Sequence, residues 1–142
     1  MIELFVQGHP KPQQRPRVSV RGGRGFAYNA DSQAMKEWKQ ALDSALSEIP
    51  ERGIEGPVEV MLHFSLPRPR SHYRAGKFSH LLKDSAPEDH QSRCDIDNIS
   101  KVVLDKITRA GIWNDDCQVI QLTASKRWSD CQSGGCEITI IE

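Results

Sequence analysis

Two stretches of the chain are too rich in cations, proline and glycine to form a core, and they dictate where a core can lie. From Pro10 to Gly25 there are five basic residues and no acidic one: Lys11, Arg15, Arg17, Arg21 and Arg24. From Leu66 to Lys83 there are five more, Arg68, Arg70, Arg74, Lys77 and Lys83, again without an acid. Neither stretch has sustained periodicity, so both read as exposed basic loops, at about 9–28 and 67–93. The second, about 27 residues long, exceeds what a compact domain uses merely to connect elements. The rest of the 142 residues is enough for a single domain, 1–142, with one hydrophobic core.

The periodic segments lie between and after these loops. Ile2, Leu4 and Val6 alternate with Glu3, Phe5 and Gln7, which predicts a strand ending at Gly8-His9-Pro10. Asp31 or Ser32 is placed to cap a helix running to about Glu48, with Ala34, Trp38, Ala41, Leu42, Ala45 and Ile49 as its apolar stripe. Pro57 opens a second strand in which Val58, Val60, Leu62 and Phe64 face one way. A second helix is expected from about Asn98 to Ala110, with Ile99, Val103, Ile107 and Ala110 on one face and Gly111 as its stop. Cys117 to Trp128 and Cys136 to Ile141 read as two further strands joined by a polar turn. The order β-α-β-α-β-β predicts an α+β fold, a mixed sheet of four to five strands with both helices packed on it.

Composition excludes several classes. Nineteen Lys and Arg balance nineteen Asp and Glu, and 37% hydrophobic with 27% charged residues suits an ordinary globular protein. No apolar run approaches the roughly 20 residues of a membrane helix, so no membrane partner is expected. No basic leader precedes an apolar stretch at the N-terminus, so a cytoplasmic protein is expected, with Cys94, Cys117, Cys131 and Cys136 as reduced thiols. These cysteines form no Cys-x-x-Cys pair, and His63, His72, His80 and His90 have no ligand spacing, which argues against zinc. His63 reads as a strand residue. Two acid-free basic loops around a carboxylate cluster point to a nucleic-acid backbone as the partner.

That cluster is Asp95, Asp97, Asp105, Asp115 and Asp116, five acids within 22 residues. If the chain is extended just before the second helix, Asp95 and Asp97 project from the same side. Asp97 is also placed to be the helix N-cap, where the dipole helps keep crowded carboxylates ionised. Converging carboxylates are the ligands that Mg²⁺ or Mn²⁺ takes. Lys101, one turn into the helix, is expected to lean back over the pair, where a scissile phosphate would lie. Asp115 and Asp116 follow the far end of a helix roughly 20 Å long, so they join this site only if the chain returns. The extended reach of 111–116, about 17 to 20 Å, allows that, with Trp113 as anchor; otherwise the acid serves another subunit's site. Without any chemistry, the same residues make a cap at Asp97, a solvated turn at 114–116 and an i, i+4 ladder of Asp97, Lys101 and Asp105.

Asp95-Ile-Asp97-Asn98-Ile-Ser-Lys101, the downstream Asp105, and Ala-Gly111-Ile-Trp-Asn-Asp115-Asp116-Cys-Gln118-Val together resemble the signature of the RusA family of Holliday-junction resolvases, endonucleases often carried by phages and prophages. Gly8-His-Pro10-Lys11-Pro-Gln-Gln-Arg15-Pro16-Arg17 is similar to the family's proline and arginine motif near the N-terminus, and Lys126 is similar to a late lysine. The resemblance implies that Asp95, Asp97 and Asp116 bind metal and are catalytic, that Lys101 is an essential basic catalytic residue, and that Asn98 supports the site, with Asp115 beside it. It implies a homodimer that nicks four-way DNA junctions in pairs during recombination and repair, using Mg²⁺, for which Mn²⁺ substitutes, and no organic cofactor. Lys11, Arg15, Arg17, Arg68, Arg70 and Lys126 are the expected DNA contacts, and Phe26, Tyr28 or Ile112 the apolar residues available to a dimer interface. The chain departs from compact family members in its longer loop between Pro67 and Arg93. Rival readings are a nuclease for flaps, forks or other branched DNA, and a catalytically inactive junction-binding protein.

Overall fold

A computed structural model describes residues 1–13, 17–28, 31–50 and 53–142, with the side chains of residue 17 and of 26–28 left aside. Arg15 thus lies outside the described residues, as do the side chains of Arg17, Phe26 and Tyr28. The elements are β1 (Ile2–Gly8), β2 (Arg17–Arg21), β3 (Arg24–Tyr28), α1 (Gln33–Ser47), β4 (Val58–Leu66), α2 (Ile96–Arg109), β5 (Val119–Trp128) and β6 (Gly134–Ile141). Four strands form one sheet in the order β1-β6-β4-β5. β6 is antiparallel to both β1 and β4, whereas β4 and β5 are parallel. A parallel pair needs a long crossover, and α2 lies within the one between β4 and β5. The expected mixed α+β architecture is present.

β4 shows why the sequence alternates there: Val58, Val60, Leu62, Phe64 and Leu66 are buried, and the residues between them are only half-buried. α1 and α2 supply the opposing surface, with Trp38, Leu42 and Leu46 from one and Ile99, Val103 and Ile107 from the other in a single core. Each of the aliphatic side chains among these, fully buried, contributes about 1.5–3 kcal/mol. The inner line of α1 is Met35, Trp38, Leu42 and Leu46. Ala34, expected on that stripe, is exposed, and Ala41, Ala45 and Ile49 are half-buried flanks. Of the two candidate caps, Ser32 accepts from the Met35 amide at 3.2 Å, while Asp31 pairs with Lys39 at 2.7 Å.

Four expectations need correction. The first basic loop contains a hairpin, β2–β3, turning at Gly22-Gly23 as a separate two-stranded sheet; Val18 and Val20 alternate along it but are exposed, so its apolar pattern is short and lacks a core to face. α2 begins at Ile96, two residues before the expected Asn98, so Asp95 occupies the cap position and Asp97 sits in the first turn. β5 begins at Val119 because Asp116–Gln118 is a 3-10 turn. β6 begins at Gly134: this glycine and Gly135 read as turn residues, but they belong to the strand because a side chain there would meet the backbone of Ser65 and Val6.

Candidate active site

Asp95 is extended (φ −65°, ψ 132°), and its side chain makes no capping hydrogen bond, so its carboxylate stays exposed and uncommitted at the N-terminus of α2. Asp97, also exposed, lies in the first helical turn rather than at the cap, and Asn98 is half-buried behind it. The turn entering Asp95 is unusual. Cys94 has φ 139°, a region that residues with a Cβ rarely adopt. Lys126 of β5 donates to the Cys94 carbonyl at 3.0 Å and to that of Ser92 at 3.4 Å. Its ammonium is therefore engaged by the chain itself immediately before Asp95, a contact for which the sequence around Lys126, read as a DNA-contacting lysine, carries no local signal.

The chain does return from the far end of α2. Gly111, at φ 73°, turns it. Ile112 and Trp113 are then buried, and Trp113 Nε1 donates to Thr108 Oγ1 at 2.6 Å. Ile112 is thereby removed from the residues available to a dimer interface: it is a core residue. Trp113 bridges to Ile54, and Gln118 clamps the turn, donating at 2.8 Å to each of the Ile54 and Gly56 carbonyls while accepting from the amides of Asn114 and Asp115.

This clamp separates the two adjacent acids. Asp115 Oδ1 accepts from the Cys117 amide at 2.9 Å and caps the 3-10 turn; that bond holds its carboxyl below the usual range. Asp116 is exposed, and its carboxyl is raised, chiefly by its hydrogen bond to Asp115, then by burial and the negative charges of Asp115 and Asp105, with Lys101 opposing. Asp116 therefore lies within electrostatic reach of both Asp105 and Lys101. Lys101 Nζ lies 3.5 Å from Asp105 Oδ1, turned along the helix toward Asp105 rather than back over Asp95 and Asp97. This ion pair is largely exposed, so it is worth no more than about 1 kcal/mol and leaves the ammonium able to swing.

The flanking cations are brought in unequally. The Gln13 amide donates to the Asn98 carbonyl at 3.2 Å, fastening the start of the first basic segment beside α2. Lys11 and Arg93 line a hollow of about 310 Å³ together with His9 and Cys94. Arg68 is held inward: its guanidinium donates to the Pro87 carbonyl at 2.7 Å and lies 5.4 Å from the Trp128 ring centroid. Arg70 is exposed. Trp128 also donates to the Asp89 carbonyl at 3.1 Å and packs against His90, whose pKa is lowered by burial and by the Lys126 charge. The role of Trp128 as anchor of the long loop had no local signal beyond an aromatic at the end of a strand.

Among the described residues, no three His, Cys, Asp or Glu side chains are arranged to hold a metal together. The donor chemistry nevertheless suits a hard divalent cation, since every candidate is a carboxylate. Mg²⁺ keeps several waters and needs only one or two protein carboxylates besides a substrate phosphate.

Comparison with known proteins adds to this geometry. Residues 7–141 match the family model described as endodeoxyribonuclease RusA. The chain is also 32% identical over 130 residues, 91% of its length, to YqaN, an uncharacterized protein of Bacillus subtilis (strain 168), covering 89% of that protein. With the match spanning both the acid-bearing helix and the returning turn, the chain belongs to the RusA family of endodeoxyribonucleases.

Proposed function

We propose that the protein is a Mg²⁺-dependent endonuclease that resolves four-way DNA junctions as a homodimer, with one catalytic site per subunit. The observation that carries this reading is the return of the chain after Gly111, which brings Asp116 within electrostatic reach of Lys101 on α2, while Asp95 and Asp97 stand exposed at the start of the same helix. One or two of Asp95, Asp97 and Asp116 would hold the ion, with water and a substrate phosphate completing its shell. When bound, it supplies positive charge to the phosphate and an acidified water for hydrolysis. Lys101, released from its weak pair with Asp105, neutralises charge that builds on the non-bridging phosphate oxygens. Asp115 positions Asp116 through the capped turn, and Asn98 braces the segment through its carbonyl bond with the Gln13 amide. Lys11 and Arg93, in the hollow next to Cys94, bind the backbone on either side of the scissile bond.

The test pairs two measurements. A labelled four-way junction, a flap and a linear duplex are incubated with and without Mg²⁺, and Mg²⁺ binding is followed by calorimetry in the absence of DNA. Cleavage of the junction alone, dependent on Mg²⁺, is expected. Asp97→Asn should abolish cleavage and weaken Mg²⁺ binding yet leave junction affinity equal or higher, because it removes a ligand and a negative charge facing the phosphate. Cleavage within a few-fold of wild type would remove Asp97 from the metal site. Preferential cutting of flaps would replace the resolvase reading with that of a branched-DNA nuclease.

A further inference from the structure

The long segment between β4 and α2 has a defined shape. The Tyr73–Leu82 bridge, with Arg74 N donating to the Leu81 carbonyl at 2.8 Å and Lys83 N to the His72 carbonyl at 2.9 Å, folds it back on itself. Trp128 ties its far end, at Asp89, to the sheet, and Arg68, at its beginning, bonds across to Pro87. Between this folded loop and the β5–β6 turn lies a cleft of about 1190 Å³ whose walls carry Arg68, Arg70, Arg74, Tyr73 and His80, against one carboxylate, Asp130. The cleft shares His9, Pro67 and Pro69 with the smaller hollow that ends at Cys94, the residue before Asp95. The two hollows therefore adjoin, and the smaller one brings the arginine-lined cleft to within one residue in the chain of Asp95.

We propose that this cleft is a binding site for the sugar-phosphate backbone of one DNA arm as it leaves the cutting site, an inference that rests on the nuclease reading above. The cations do not converge on one point, as a small anion would require. Arg68 is directed to Pro87 and Trp128, and Arg74 to the Leu82 carbonyl and Asp84. Arg70 makes no contact among the described residues that would compete with a phosphate. Cations dispersed along a wall, with Tyr73 between them, match a chain of phosphates, each neutralised by one side chain with release of counterions. The volume also exceeds that of a typical small-molecule pocket. The arm thus bound gives the loop a purpose that a connector of its length lacks.

The experiment measures binding of the intact protein, without divalent metal, to four-way junctions with long arms or with arms trimmed to a few base pairs, over a range of salt. Arg70→Ala is expected to weaken binding to the long-armed junction several-fold and to flatten its salt dependence by roughly one phosphate contact, with no effect on the trimmed junction. Arg70→Ala/Arg74→Ala should roughly double the loss of slope. An unchanged near-ultraviolet circular dichroism signal, dominated by the packed Trp residues, verifies that the loop remains folded. Wild-type affinity and slope in both variants would overturn the proposal, as would an equal loss on trimmed and long-armed junctions, which would place Arg70 at the branch point. If the wild type does not prefer a junction to linear duplex, the resolvase reading fails, and the same variants titrated on long and short duplexes still decide whether the cleft holds an arm.

Discussion

Lys126 is half-buried, and its ammonium donates to two backbone carbonyls and pairs with no carboxylate among the described residues. One of those carbonyls belongs to Cys94, whose positive φ costs on the order of 1–3 kcal/mol and persists only while its surroundings enforce it. The consequence is a turn that presents Asp95 in one direction. Lys126→Met keeps the aliphatic stem but loses both bonds. It should reduce the single-turnover cleavage rate by about tenfold or more while changing junction affinity by less than about twofold, since a displaced reacting group affects rate before binding. Lys126→Arg should recover part of the rate. A parallel loss of affinity and rate would make Lys126 a DNA contact. The same scale separates Asp115 from Asp116, which are indistinguishable as neighbours in sequence: one carboxylate accepts from the Cys117 amide, and the other hydrogen-bonds to its neighbour with Lys101 within electrostatic reach.

At the scale of elements, α2 and the turn that follows it act together. The stop at Gly111 was legible because the apolar period of the helix ends there and only glycine takes φ 73° without strain. The start was not. Asp95 and Asp97 are both good caps, and the choice between them depends on the tie between Cys94 and a strand that comes later in the chain. Gly111→Ala should destabilise the protein by about 1 kcal/mol, a fall in Tm of about 2–4 °C. Because Ile112 and Trp113 are pinned in the core, the distortion must pass to 114–116, and cleavage below Tm should fall by more than the stability loss accounts for. Thermal unfolding and cleavage measured on the same preparation check this; an unaltered rate would show that the Gln118 clamp alone positions Asp116.

For the whole molecule, the sheet order leaves β5 at an edge, with Ile120 69% and Leu122 43% exposed. A second copy of the chain covering this edge would remove both from water, and a two-fold enzyme matches the two equivalent strands of a four-way junction. Sedimentation equilibrium at micromolar protein should give about twice 16.0 kDa, and Ile120→Glu with Leu122→Glu should yield a folded monomer that nicks a cruciform plasmid without linearising it. A double variant that remains a dimer would move the interface elsewhere. A chain that is monomeric from the start would defeat paired cutting.

Local patterns encode much of this chain. Period-2 alternation at Ile2–Gly8 and Val58–Leu66, a 3.6-residue stripe through Ile99, Val103 and Ile107, and the spacing of the acids yielded the main elements, the helix stop and the candidate ligands. Backbone preference and one-sided burial act within a few residues, so they are written in neighbouring positions. Long-range contacts alone make Gly134 and Gly135 strand residues, bury Ile112 in the core, fasten the long basic loop by Trp128, and turn Lys126 onto the Cys94 carbonyl. Each of those depends on which distant group comes within hydrogen-bond or van der Waals distance: Lys126 and Cys94 are 32 residues apart, and Trp128 and Asp89 are 39. A lysine on a strand has the same local preferences whether it meets DNA or a carbonyl, and its role here follows from the parallel pairing of β4 and β5, which carries that strand past the start of α2.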